Sequence, residues 1–240
     1  MRITLLGTGD AVGTPKVGCG CPICTRAIHS GISRRRTSIL VQNGDESLLI
    51  DTSPDLRAQL LSSGSPVIGA VCWTHGHYDH YSGYGDFYRV QRPPPAFAPE
   101  EVLEYCGGFF NFLSFDRVPV QAFEPIDILG ITITFFPVHH PPVPAFGIRC
   151  DCNGKTMGYT ADTHANLCRE SLQLLEGVDL LLIDAIAPGG VHLKKHMNYA
   201  DAHALATRLN PGDWRCVHMS HTVPWDLPNL GMDGEVFDLC

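Results

Sequence analysis

Four side chains that could hold a metal fall within six residues at His75-Gly76-His77-Tyr78-Asp79-His80, a His-x-His-x-Asp-His segment. Imidazole nitrogen and carboxylate oxygen are donors that borderline divalent cations such as Zn²⁺ favour. No regular element turns all four toward one ion. A helix spreads His75, His77, Asp79 and His80 around its axis, and a strand sends odd and even positions to opposite faces. A strand that ends in a loop and then enters a helix aims the first pair one way and the second pair another. That geometry suits two cations close together, the arrangement used in two-metal hydrolysis. The apolar run 67–73 just before the segment reads as the strand it requires.

Three further places carry ligand-type residues at the ends of strand-like runs. His139-His140 follows an apolar run and stops in Pro141-Pro142, Asp162 follows the run 155–159, and His218 and His221 close the last run. Two histidines and one carboxylate from these places would complete a two-metal site, with Asp162 the natural bridge. Strands are expected at 3–6, 38–41, 47–50, 70–73, 131–135, 146–150, 155–159, 180–184 and 214–218, with Asn43-Gly44 as a hairpin turn. Helices are expected at 54–62, 164–175 and 199–209, the last capped by Asn198. The proline- and aromatic-rich stretch 92–125 gives no clear element. Strands alternating with a few helices predict an α/β (α+β) chain with two packed sheets flanked by helices, an αββα sandwich formed by 1–240 as a single domain.

In this order, and at strand ends, His75-x-His77-x-Asp79-His80, His140, Asp162 and His218 resemble the metallo-β-lactamase superfamily of hydrolases. The resemblance spans nearly the whole chain, from Gly7-Thr8-Gly9 to His221. It implies the αββα fold, with His75, His77 and His140 on one metal, Asp79, His80 and His218 on the other, and Asp162 bridging. His139, next door, competes with His140. A second cluster, Cys19-Gly20-Cys21-Pro22-Ile23-Cys24, places three thiols in six residues, a zinc clip short of one ligand. The clip resembles that of the PhnP phosphodiesterases, a branch of the superfamily in which a C-terminal histidine supplies the fourth ligand. The resemblance assigns that place to His221. It also assigns His196 to contact with the scissile phosphate, where a near-neutral imidazole suits a general acid. The implied cofactors are two divalent ions in the active site, Zn²⁺ or Mn²⁺, and one structural Zn²⁺.

Two metals lower the pKa of a shared water, so hydrolysis needs no side-chain nucleophile. The expected reaction is hydrolysis of a small cyclic phosphate, by resemblance 5-phosphoribosyl 1,2-cyclic phosphate, with Asp79 orienting the water and His196 protonating the leaving group. Rival readings are a PqqB-like protein of cofactor biosynthesis, an RNase Z-type nuclease, a lactone or thioester hydrolase, and a non-catalytic metal-binding scaffold. A net charge of −8 on 240 residues speaks against gripping a long nucleic acid by its phosphates, and leaves a small phosphorylated substrate open. No apolar run reaches the length of a membrane span, so no membrane partner is expected. The N-terminus does not read as a secretion signal, and three of the ten cysteines clustered at Cys19, Cys21 and Cys24 point to a reducing compartment and a metal, so the cytoplasm is expected. A homodimer is left open. Gly7-Thr8-Gly9-Asp10 lacks nucleotide-loop spacing, and the resemblance makes it a turn near the metals. Arg34-Arg35-Arg36 reads as a solvated run, with a substrate-phosphate contact as its alternative, and His164 reads as a surface residue starting a helix.

Overall fold

The computed structural model describes residues 1–239. In chain order the strands are β1 (Arg2–Gly7), β2 (Ser38–Asn43), β3 (Glu46–Ile50), β4 (Ala70–Cys72), β5 (Ala96–Ala98), β6 (Arg117–Pro119), β7 (Ile126–Ile128), β8 (Ile131–Pro137), β9 (Phe146–Cys152), β10 (Lys155–Tyr159), β11 (Leu180–Asp184), β12 (Asp213–Val217) and β13 (Val236–Asp238). The helices are α1 (Pro22–Ser30), α2 (Leu56–Ser62), α3 (Tyr78–Tyr81), α4 (Phe87–Val90), α5 (Glu100–Phe109), α6 (Arg169–Leu175) and α7 (Tyr199–Leu209). One sheet runs β13-β1-β2-β3-β4-β5-β6 and the other β12-β11-β10-β9-β8-β7.

Period-two alternation in β11 shows how the layers form. Leu180 and Leu182 join the core shared by the two sheets, while Leu181 and Ile183 join a second core with residues of α6 and α7. β11 lies between parallel partners β10 and β12 and is buried on both faces, which is why its sequence is continuously apolar. Helices α2 and α5 pack on the first sheet, and α6 and α7 on the second. The architecture is therefore the expected αββα sandwich. None of the helices among the described residues is long and apolar enough to cross a membrane.

Local chemistry sets the element ends. The β2–β3 hairpin pairs Asn43 with Glu46, so its turn is Gly44-Asp45, one residue beyond Asn43-Gly44, with Gly44 at φ 59°. Helix α7 starts with a reciprocal capping box between Asn198 and Asp201 and stops at Asn210, at φ 49°. The helix expected over 164–175 begins only at Arg169, because Cys168 caps it through Sγ to the Ser171 N–H, and 163–168 stay in a loop. The stretch 92–125 holds β5, α5 and β6, with Glu100 and Glu101 complementing the dipole at the start of α5. Helix α1, also not foreseen, is capped by the Cys21 thiol and opened by Pro22.

Candidate metal centre

β4 runs out at Cys72, and the chain stays extended to His77, which is the N-cap of α3; Asp79 and His80 lie in that helix's single turn. His75 Nε2 comes within 3.1 Å of His77 Nδ1, and His140 Nε2 within 3.0 Å of the same atom. Asp162 Oδ2 lies 3.5 Å from His75 Nε2. On the other side, His80 and His218 each bring Nε2 to 3.4 Å from Asp79 Oδ2, and to 3.4 and 3.3 Å from Asp162 Oδ2. Seven side chains thus form two groups that meet at Asp162. Buried His140 faces the cleft, whereas exposed His139 turns toward His164, ring to ring at 6.2 Å. The His196 ring stacks on His218 at 5.2 Å and stands 4.7 Å from His140.

The outer nitrogens of these histidines are also held. His80 Nδ1–H donates to Asp51 at 2.7 Å, and Asp51 in turn accepts the N–H and O–H of Thr74. His75 Nδ1 meets the Thr74 hydroxyl at 3.0 Å, and His140 Nδ1 donates to the Lys195 carbonyl at 3.1 Å. Asp184 serves two rings, accepting from His196 Nδ1 at 2.9 Å and facing His218 Nδ1 at 3.5 Å. Such partners fix tautomer and ring orientation and leave the inner nitrogens free to ligate. Asp51, Ala161 and His218 hold left-handed backbone, at φ 60°, 50° and 57°, each just past a strand end, where the turn aims a functional side chain at the cost of local strain.

The cysteine cluster lies beside this cleft. Cys19 Sγ and Cys21 Sγ stand 3.6 and 3.7 Å from His221 Nδ1, and these atoms and Cys24 Sγ all fall within 4.8 Å of one another. The Cys24 N–H donates to Cys21 Sγ, and this bond together with His221 draws the Cys21 thiol down to about 6, so a thiolate is present at neutral pH. The Arg34-Arg35-Arg36 run is not a solvated face. Arg34 is 1% exposed, donates to the carbonyls of Ser220, Val223 and Pro224, and lies 4.0 Å over the Trp225 ring. Its buried fork clamps the loop that carries His218 and His221. Arg36 pairs with Asp55. Gly9 bridges Met219, so the glycine turn does lie next to His218.

The model of the β-lactamase superfamily domain matches residues 46–219. The chain belongs to this superfamily. An octanoyltransferase of Porphyromonas gingivalis is 27% identical over 93% of the chain, which spans 47% of that protein's length. Coenzyme PQQ synthesis protein B of Methylobacterium nodulans is 28% identical, covering 77% of the chain and 72% of its own length. Among solved structures, a diphosphatase from the PhnP family superposes with a TM-score of 0.88 at 28% identity, over 100% of this chain and 98% of its own. Members of the superfamily are usually hydrolases, and the cleft gathers groups of residues that could hold metal ions.

Two observations bear on whether these donors suit cations. His80 Nε2 and Asp162 Oδ1 are buried without a hydrogen-bond partner among the described residues. The charge balance agrees. Burial holds the His75 and His77 imidazoles below their ordinary value and His140 down to about 4, so these three are neutral donors at pH 7. Burial also opposes charging of His80 and His218, yet the carboxylates around them, Asp162 foremost, win and raise both. Burial opposes the Asp79 carboxylate as well, and His80 and His218 outweigh it, keeping Asp79 well below the usual carboxylate range. The carboxylates gathered here create a negative potential to which a cation would be drawn.

Asp51 and Asp184 were not singled out from the sequence, although a signal exists. Leu48-Leu49-Ile50-Asp51 and Leu181-Leu182-Ile183-Asp184 are the same four residues, each a buried strand ending on a carboxylate.

Proposed function

We propose that the protein is a dinuclear-metal phosphodiesterase of the cytoplasm that hydrolyses a small cyclic phosphate, by resemblance 5-phosphoribosyl 1,2-cyclic phosphate, with 1–240 as one catalytic unit. The observation that carries this reading is the placement of His196. Its Nδ1 is tied to Asp184, its other nitrogen has no hydrogen-bond partner among the described residues, and its ring stands beside His140 and His218, within reach of Asp162. A proton donor so placed suits a leaving alkoxide. The clip beside the cleft and the likeness to a diphosphatase from the PhnP family support the same branch.

His75, His77 and His140 would hold one cation, Asp79, His80 and His218 the other, and Asp162 would reach both; Cys19, Cys21, Cys24 and His221 would hold a structural Zn²⁺. N/O donors of this kind suit Zn²⁺ or Mn²⁺. When bound, the pair of cations supplies an acidified water and neutralises charge on the non-bridging oxygens. The chain's own residues do the rest. Asp79 orients the attacking water, whose oxygen bonds to phosphorus as the P–O bond to the leaving group breaks. His196 delivers its Nε2 proton to the oxygen of the leaving group, and Asp184 holds the Nδ1 proton so that Nε2 faces the substrate. A second reading, a PqqB-like role in cofactor biosynthesis, is favoured by the sequence likeness to PQQ synthesis protein B.

Metal-reconstituted protein should be tested on bis(p-nitrophenyl) phosphate, a 2′,3′-cyclic nucleotide, a lactone and a thioester. Turnover of the two phosphodiesters is expected. Turnover of the lactone or thioester alone would overturn the proposal.

A further inference from the structure

Tyr105, Phe109, Phe112 and Tyr88 are each more than half exposed, yet their rings belong to one connected set. Tyr105 and Phe109 recur at i, i+4 on the open face of α5, whose other face, Val102, Leu103 and Cys106, is buried. Tyr81 joins the pair, with ring centroids 6.2 Å from Tyr105 and 5.8 Å from Phe109. Phe110 continues the line, 5.2 Å from Phe109 and 6.4 Å from Phe112, and Phe112 stands 5.9 Å from Tyr88 of α4. Exposed aromatics scattered singly need no explanation, whereas a contiguous strip calls for an occupant. The strip also braces the metal centre. The Cys106 thiol donates to the His75 carbonyl at 3.8 Å, and the Tyr105 ring fills the space that a side chain at Gly76 would need.

The ends of the strip carry opposite charge. Exposed Glu101 and Glu104 flank Tyr105 at one end. At the other, exposed Arg89 lies 4.6 Å over the Tyr88 ring, with Arg92 just beyond it in the chain. Among the described residues none of these four charges has an ion pair, whereas Arg26 meets Asp226 at 2.8 Å. A two-fold axis through the middle of the strip lays rings on rings and brings the basic end of each copy onto the acidic end of the other. The half-exposed rings, at about 200 Å² each, leave roughly 400–500 Å² of aromatic surface in water. With the flanking charged side chains the strip approaches the ~800 Å² per partner of a standard interface, and it has the aromatic centre and polar rim of one. We propose that this strip is the surface through which two copies of the chain pair. The inference is independent of the reaction proposed above.

Sedimentation equilibrium over a concentration series tests it. Wild type should be a dimer at micromolar concentration. The double variants Arg89→Glu, Arg92→Glu and Glu101→Lys, Glu104→Lys each place like charges across the two-fold, and each should dimerise about a hundredfold more weakly. Mixing the two variants should restore a dimer, because every acidic rim then faces a basic one; this recovery also shows that both variants are folded. Phe109→Ser should weaken pairing without touching charge. A monomeric wild type, a dimer indifferent to both double variants, or a mixture that stays monomeric would overturn the proposal. So would a monomeric wild type that sediments with phosphatidylcholine vesicles, which would give the rings to a lipid surface instead.

Discussion

The cleft and the cysteine clip meet in one segment, with His218 in the first and His221 in the second, and they are built on opposite plans. The cleft joins four nitrogen and oxygen ligands from the segment His75–His80 to three from distant strand ends, buries nearly all of them, and fixes outer nitrogens with Asp51, Asp184, Thr74 and the Lys195 carbonyl. The clip takes three of four ligands from one short segment, Cys19 and Cys21 half-exposed and Cys24 buried in the first turn of α1, and the fourth, His221, from the far end of the chain. Rigid scaffolding around the cleft suits chemistry that depends on aim. Thiolates gathered in one loop suit a staple, which fastens the N-terminal loop to the C-terminal one and leaves catalysis to its neighbour.

The contrast can be broken at its centre. Asp162→Ala removes the one carboxylate shared by both ligand groups, and diester hydrolysis should fall on the order of a thousandfold, read as kcat/KM at saturating metal. His196→Ala should cost about a hundredfold in kcat while the metal content measured by emission spectroscopy is retained. The paired aspartates sharpen the point. Asp184→Asn and Asp51→Asn should each weaken cleft metal affinity about tenfold or more, because each orients a ligand histidine. Excess metal should restore Asp51→Asn, whose contact is with His80, but not Asp184→Asn, which also orients His196; a full rescue of both would remove Asp184 from proton delivery. The clip variant Cys21→Ser should lose one equivalent of zinc and a few degrees of Tm, with diester turnover at saturating metal reduced less than in any cleft variant.

Acid should separate the two centres as well. A thiol depressed to about 6 is a thiolate at neutral pH, and its stabilising contribution, full above the ordinary thiol value, is lost as pH falls through about 6. The cleft's His140, depressed to about 4, stays an unprotonated donor two units lower. Dialysis at stepped pH followed by metal analysis should therefore empty the clip before the histidine group of the cleft. The reverse order would contradict this division.

The parts legible in the sequence were those in which chemistry is written locally. His75 to His80 and Cys19 to Cys24 are dense enough to read alone, and the strand runs before His140, Asp162 and His218 indicate where those side chains would emerge. Tertiary burial decided the rest. Arg34 looks like a solvated charge until the carbonyls of Ser220, Val223 and Pro224 form a cage around it, a contact that no local pattern announces. Asp51 and Asp184 read as ordinary strand ends until their rings are in place, and only the repeated Leu-Leu-Ile-Asp hints at a common role. The expected helix start at His164 failed because Cys168, a weak capping residue, does the capping. The choice between His139 and His140 is made by which ring is buried against His77, a matter of how β8 and β9 deliver the loop between them.

The most direct test is a metal titration. Metal-free protein with its clip first filled by one equivalent of Zn²⁺ is titrated with Mn²⁺ while hydrolysis of bis(p-nitrophenyl) phosphate is followed. Activity should rise to a plateau at two further equivalents, and Asp162→Ala should show no such rise. A plateau at one equivalent, or an Asp162→Ala variant as active as wild type, would contradict a two-cation phosphodiesterase.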